Sequence, residues 1–76
     1  MRILLGGHLT FYHPQKDKWL EVDIEEPTAL VDILEGAGIP LGEVQLVVIN
    51  NEQVDLQEAV VSEQDQVQVY SAVGGG

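Results

Sequence analysis

One stretch of this chain has the periodicity of an α-helix, and the segments around it have the pattern of strands. In residues 27–40, "PTALVDILEGAGIP", four apolar side chains recur at positions i, i+3, i+4 and i+7, which places them on one helical face. These side chains are Leu30, Ile33, Leu34 and Ala37. Thr28 is a natural N-cap, and Gly36 or Gly38 can adopt the left-handed conformation that ends a helix before Pro40. The sequence therefore predicts one helix of about three turns.

Three segments ahead of and behind this helix are typical of strands. Residues 2–5, "RILL", form an opening strand, and Gly6-Gly7 after it indicate a bulge or a close approach of backbones. Residues 19–25, "WLEVDIE", alternate between apolar and acidic side chains, as a half-buried strand does. Residues 44–50, "VQLVVIN", are apolar without alternation, as in a central strand covered on both sides. The first two strands are predicted to pair as a hairpin.

The remainder of the chain predicts a second hairpin-like unit. Asn50-Asn51 tolerate positive φ and suit a tight turn into a short strand near Val54. A connection over residues 56–66 follows, and its Leu56 and Val60 or Val61 are expected to cover the edge of the sheet. The final segment, "VQVYSAV", is a strand that places alternate residues on one face. These residues are Val67, Val69, Ser71 and Val73.

Two hairpins can bury a single helix only if the sheet wraps around it. The order strand, strand, helix, strand, short strand, strand therefore predicts an α+β roll of the β-grasp (ubiquitin-like) type. We expect a mixed sheet of four to five strands wrapped on one main helix. The predicted domain covers residues 1–73, and residues 74–76 are predicted to form a flexible glycine tail.

The composition excludes several classes of function. The 76 residues contain no cysteine, so the chain has no disulfide, no thiolate metal site and no thiol nucleophile. Its net charge is -10, and its three cations all lie within residues 1–18. Nucleic acid and anionic membranes are therefore not expected as partners. The acidity suits docking on a basic protein surface, and the alternative is that it only keeps a small domain soluble. No apolar run reaches the length of a membrane span, and we expect a cytoplasmic protein.

Side-chain catalysis and metal binding are not expected. The hydroxyl residues have no histidine at a recognisable catalytic spacing, and no phosphate-binding loop is present. His8 and His13 are interpreted as ordinary hairpin histidines rather than metal ligands. The many carboxylates are interpreted as a solvated acidic surface.

The final residues, Gly74, Gly75 and Gly76, are the most specific feature of the sequence. Fully extended, three glycines reach about 10 Å, and without Cβ atoms they form a thread thin enough for a buried channel in a partner. The group delivered there is the Gly76 carboxylate, which must be activated before it reacts, for example by transfer to AMP from ATP. Because this chain has no phosphate loop, we expect it to bind no cofactor itself and a partner to bind the ATP.

Residues 27–76, with this glycine end, resemble the ubiquitin-like sulfur carriers. That family includes the small subunit of molybdopterin synthase and the sulfur carrier of thiamin biosynthesis. The resemblance places the family's terminal Gly-Gly on Gly75 and Gly76. It implies that a ubiquitin-activating-like enzyme adenylates Gly76 and that a persulfide donor converts it to a thiocarboxylate. The tail would then enter a synthase subunit and deliver the sulfur to a cofactor precursor.

On this hypothesis the chain is a protein substrate and sulfur donor, not an enzyme. Gly76 carries the reactive carboxyl, and Gly74 and Gly75 make the slim approach to the partner. Val73 and Val69 are candidate partner contacts, with burial in the core as the alternative for Val69. The molybdopterin pathway is slightly favoured over the thiamin pathway. A protein modifier conjugated through Gly76 and an interaction module that is never activated are the alternative functions.

Overall fold

The computed structural model describes residues 1–72. Its elements in chain order are β1 (Arg2–Gly6), β2 (Trp19–Glu21), β3 (Thr28–Ala29), α1 (Leu30–Gly36), β4 (Val44–Ile49), β5 (Glu52–Val54), β6 (Val60–Val61) and β7 (Val67–Ser71). Short 3-10 helices occupy Leu9–Tyr12, Leu41–Glu43 and Leu56–Glu58.

Five of the strands within residues 1–72 form one mixed sheet, in the order β2-β1-β7-β4-β5. The first and last strands, β1 and β7, are parallel neighbours at its centre, and the other pairs are antiparallel. The short strands β3 and β6 pair with each other in a separate two-stranded sheet. This mixed sheet with one helix confirms the predicted β-grasp fold.

The core lies between the sheet and α1. Alternate side chains of the central strands point to the helix, and Leu30 and Leu34 of α1 meet them from the other side. The apolar residues buried here are Ile3, Leu5, Leu9, Leu20, Leu30, Leu34, Ile39, Val47, Ala59, Val61, Val67 and Val69.

The start of the helix differs from the prediction. The helix α1 has 7 residues, fewer than the three turns expected, and its N-cap is Ala29. Thr28 lies instead in β3, opposite Val61, and its hydroxyl donates to the carbonyl of Glu26 at 2.8 Å. The amide of Leu30 donates to the carbonyl of Ala59 at 3.0 Å. Strand pairing thus satisfies one of the free amides of the first turn, and Thr28 is not needed as a cap.

The second strand is also shorter than predicted. Only Trp19–Glu21 pair with β1, whereas Val22 and Ile24 continue as half-buried residues packed against the core. The alternation that predicted a longer strand therefore continues past β2. Val22 still exchanges two backbone hydrogen bonds with Met1, and Ile24 packs against the core outside any strand. No helix within residues 1–72 is long and apolar enough to span a membrane.

Candidate functional site

The sheet has a second face, turned away from the helix, that carries a group of apolar side chains. Because side chains alternate along β7, the neighbours of buried Val67 and Val69 point to this face. Across the strands, Leu46 lies opposite Tyr70. We call this surface the outer face and define it by Leu4, Trp19, Leu46, Val48, Gln68 and Tyr70. All six side chains are half-buried, and among the described residues none belongs to the group packed against the core.

An irregularity in β4 places Val44 and Leu46 on opposite faces of the sheet. Val44 and Leu46 are two residues apart and would share one face of a regular strand. The register shifts between them, so that Val44 packs against the core while Leu46 pairs with Tyr70 on the opposite side. A bulge of this kind re-aims a side chain, and here it turns Val44 to the core, whereas Leu46 alternates regularly with buried Val47.

The Gly6-Gly7 pair fits closely against the end of β7. A Cβ atom on Gly6 would overlap the ring of Tyr70, so the ring lies directly over the Gly6 backbone. Gly7 has φ +63, and a Cβ there would overlap the hydroxyl of Ser71. The two glycines therefore allow a close approach, as the sequence indicated, but the groups that approach their backbone are mainly the side chains of Tyr70 and Ser71.

Ser71 fixes the chain where it leaves the sheet. This residue is only 6% exposed, and its hydroxyl accepts a hydrogen bond from the amide of His8 at 2.6 Å. The same hydroxyl donates to the carbonyl of Ala72 at 3.1 Å. The end of β7 is thus held to the segment that follows β1, up to the last described residue.

A groove of about 360 Å³ lies at this point, next to the outer face. Its walls are formed by residues from the turn after β1, from β4 and from the end of β7. They are Gly7, Gln45, Leu46, Tyr70, Ser71 and Ala72. The largest apolar side chains in it, Leu46 and Tyr70, also belong to the outer face. The groove and the outer face therefore form one continuous surface at the root of the tail.

Four of the five predicted site residues lie outside the described residues: Val73, Gly74, Gly75 and Gly76. The fifth, Val69, is fully buried, opposite Val47 and beside Leu5 in the sheet. This corrects the expectation that Val69 contacts a partner, because its side chain faces the helix. It belongs to the core, which is the alternative that the alternation of "VQVYS" left open.

The sequence analysis missed the two side chains that dominate the groove. Tyr70 could have been found, since it alternates with buried Val69 and must therefore point away from the core. Leu46 could not, because "VQLVVI" has no regular alternation and does not reveal the register shift that separates Val44 from Leu46.

The charges are distributed unevenly. Lys16 places its ammonium 4.5 Å from the ring centroid of Phe11 and donates to the Phe11 carbonyl at 2.7 Å. Arg2 lies 4.2 Å from the ring centroid of Trp19 and 3.9 Å from the carboxylate of Glu21. Both cations thus already interact with neighbours on the first hairpin. Within residues 1–72, no group of three or more histidine or acidic side chains is placed to hold a metal ion.

A family model described as "Mut7-C ubiquitin" matches residues 7–73 of the chain. It represents a ubiquitin-like family related to sulfur carrier proteins. The comparisons with curated proteins and with solved structures gave no match.

Proposed function

The chain belongs to the Mut7-C ubiquitin family, and from this premise we propose that it is a sulfur carrier activated at Gly76. Membership of a ubiquitin-like family related to sulfur carriers supports the general assignment. The observation that carries the specific proposal is the apolar groove at the root of the tail, where Leu46 and Tyr70 lie beside the last described residue. The proposal applies to a mature chain that ends at Gly76.

The proposed chemistry takes place on the main chain and in a partner enzyme. A carboxylate oxygen of Gly76 attacks the α-phosphorus of ATP, which gives an acyl-adenylate and releases pyrophosphate. The terminal sulfur of a persulfide donor then displaces AMP and forms an acyl disulfide. A thiol reductant cleaves that disulfide and leaves the Gly76 thiocarboxylate. The chain itself supplies no catalytic side chain and binds no nucleotide, because the partner holds the ATP.

The outer face is proposed as the surface on which the activating enzyme docks. Its apolar side chains lose water when covered by a partner, which favours association by about 25 cal/mol for each Å² buried. The hydrogen bonds of Ser71 hold residues 71 and 72, the last described residues, in a fixed position relative to this surface. Docking on the outer face would therefore direct the glycine thread towards one place on the partner.

The acceptor of the sulfur is proposed to be a synthase subunit of a cofactor pathway. We favour molybdopterin over thiamin biosynthesis, because the first hairpin is longer than the one typical of thiamin-type carriers. Delivery of labelled sulfur to the two candidate synthases, compared side by side, decides between the pathways.

The docking proposal is tested with Leu46→Ser and the matched control Val31→Ser. Leu46 lies on the outer face, whereas Val31 is a half-buried helix residue outside the core group. The assay follows pyrophosphate release by a candidate activating enzyme from the same genome. We expect L46S to raise KM for the carrier about tenfold with a smaller effect on kcat, and V31S to change KM by less than about twofold.

Equal KM values for L46S and V31S would show that the enzyme does not use the outer face. Deletion of Gly76 should abolish pyrophosphate release altogether. Higher-mass conjugates to lysines of other proteins, lost when Gly76 is deleted, would instead favour the protein-modifier alternative.

A further inference from the structure

A second groove, of about 550 Å³, lies on the helix side of the sheet at its β5 edge. Ile49 and Val54 form part of its apolar lining, and both also pack against the core from the inner face. Val60 of β6 lines it as well, although its side chain is 58% exposed. Among the large apolar side chains of residues 1–72, those of Phe11 and Val60 are the most exposed. An exposed valine beside a groove lined by both apolar and acidic side chains marks a surface that a partner of matching chemistry can cover.

Two strands with open edges contribute to this groove. The strand β5 is the last in the order of the five-stranded sheet, so its outer backbone groups have no strand partner within residues 1–72. The strand β6 pairs with β3 alone in the same part of the chain. An extended peptide that lies along such an edge can pair with free amides and carbonyls, as in β-strand addition.

The charges around this groove are all of one sign. The carboxylates of Glu52, Asp55 and Glu58 line it together with the apolar side chains, and no cation does. Each of these three residues is exposed. The cations Arg2, Lys16 and Lys18 belong to the β1–β2 hairpin, at the opposite edge of the sheet. The field over the groove therefore attracts a basic ligand and repels an acidic one.

We propose that this groove, which we call the β5 groove, binds an extended segment of a partner protein in which lysine or arginine alternates with apolar side chains. In an extended segment, successive side chains point to opposite sides. Apolar side chains on one side of the segment can therefore contact Ile49, Val54 and Val60. The basic side chains start on the other side, and their long flexible stems can bend round to the exposed carboxylates at the rim. The β5 groove lies on the opposite side of the sheet from the outer face. This inference is thus independent of the chemistry proposed for Gly76.

The test is a titration of the full ¹⁵N-labelled chain with a short capped peptide of alternating lysine and valine, followed by NMR. We expect shift changes confined to residues 49–60 and a Kd that increases with salt concentration. A peptide with glutamate in place of lysine should not bind. A peptide with serine in place of valine should bind more weakly, since it lacks the apolar contacts. Absence of binding, or shifts on the outer face instead, would overturn the proposal.

Matched variants separate the groove from the general acidity of the chain. The double variant Glu52→Gln, Glu58→Gln removes two charges at the rim, and Glu25→Gln, Glu35→Gln removes two exposed charges elsewhere. Asp55 is left unchanged because its carboxylate accepts a hydrogen bond from the amide of Gln57. We expect the rim variant to raise the Kd for the lysine–valine peptide about tenfold and the control by less than about twofold. Equal effects of the two variants would mean non-specific attraction and would refute the site.

Discussion

Asp65 joins two separate parts of the chain through hydrogen bonds that require a carboxylate. One of its oxygens accepts from the side-chain amide of Asn50 at 3.0 Å, and the other accepts from the backbone amide of Ser62 at 2.8 Å. Asn50 in turn accepts from the amide of Gln66 at 3.0 Å. The turn after β4 is thus tied to the segment that leads into β7. Both bonds lower the pKa of the Asp65 carboxyl, and the bond from Asn50 has the larger effect.

This arrangement predicts a pH-dependent effect of Asp65→Asn. The side chain of asparagine has only one oxygen, so its NH2 group would face one of the two donors. We therefore expect a loss of about 1 kcal/mol in unfolding free energy at neutral pH. The pKa of Asp65 is lower in the folded chain than in the unfolded chain, where it is about 3.9. The ionised carboxylate therefore stabilises the folded state fully above the unfolded pKa, and this stabilisation is lost as pH falls through the folded pKa. Urea unfolding of both proteins between neutral and strongly acidic pH measures this.

The difference between wild type and D65N should therefore shrink on acidification. Asp23→Asn, at an exposed aspartate, is the control and should change stability little. A D65N deficit that stays constant down to the lowest pH would show that the carboxylate charge has no part in the effect.

The turn at Asn50-Asn51 shows which local features the sequence predicts well. Both residues have positive φ, 52 and 70, as expected for a two-residue hairpin turn. The bonds from Asn50 to Asp65 and Gln66 were not predicted, because they join residues 15 and 16 positions apart. Side-chain partners across such distances depend on the folded arrangement and leave no local pattern.

The end of α1 is a Schellman motif. The amide of Ile39 donates to the carbonyl of Leu34 at 2.9 Å, and the amide of Gly38 donates to the carbonyl of Glu35 at 3.0 Å. Gly38 has φ +81, which places it at the left-handed position that follows the helix. Of the two glycines that the sequence offered for this role, Gly36 is instead the last helical residue.

These two glycines provide a matched pair of substitutions. Gly38→Ala forces an alanine to positive φ and should lower the unfolding free energy by about 1 kcal/mol. Gly36→Ala replaces a helical glycine with nothing within 4 Å of the added Cβ, and should raise the unfolding free energy by up to about 1 kcal/mol. Thermal and urea unfolding of both variants give the values. Equal effects of the two changes would contradict the assigned end of the helix.

The predicted elements were correct where a pattern depends on burial and wrong where pairing partners decide the outcome. The period-3.6 pattern gave the helix, period-two patterns gave β2 and β7, and apolar runs gave β1 and β4, since all of these report which side chains are buried. The pair β3–β6 was missed because each strand has 2 residues, too few for a pattern. Because the pairing of β3 was missed, Thr28 was predicted to be the N-cap of the helix rather than a strand residue.

As a whole, the molecule presents two surfaces on opposite sides of one sheet. The outer face and its groove lie beside the end of β7, while the β5 groove lies towards the helix at the far edge. The cations are gathered on the first hairpin, and the acidic residues extend over the remainder of the chain. The sulfur carrier that we propose would bind several proteins in turn, and such separate surfaces would suit different partners.

The central claim, that Gly76 carries the transferred sulfur, is tested most directly by the intact mass of the protein. The chain is first weighed to establish that it ends at Gly76, and is then incubated with the activating enzyme, ATP and a persulfide donor with reductant. We predict a mass gain equal to the replacement of one oxygen by one sulfur, located at Gly76 by fragmentation and absent without ATP. An unchanged mass with an activating enzyme that is active on another carrier, or a mature chain that continues beyond Gly76, would contradict the account.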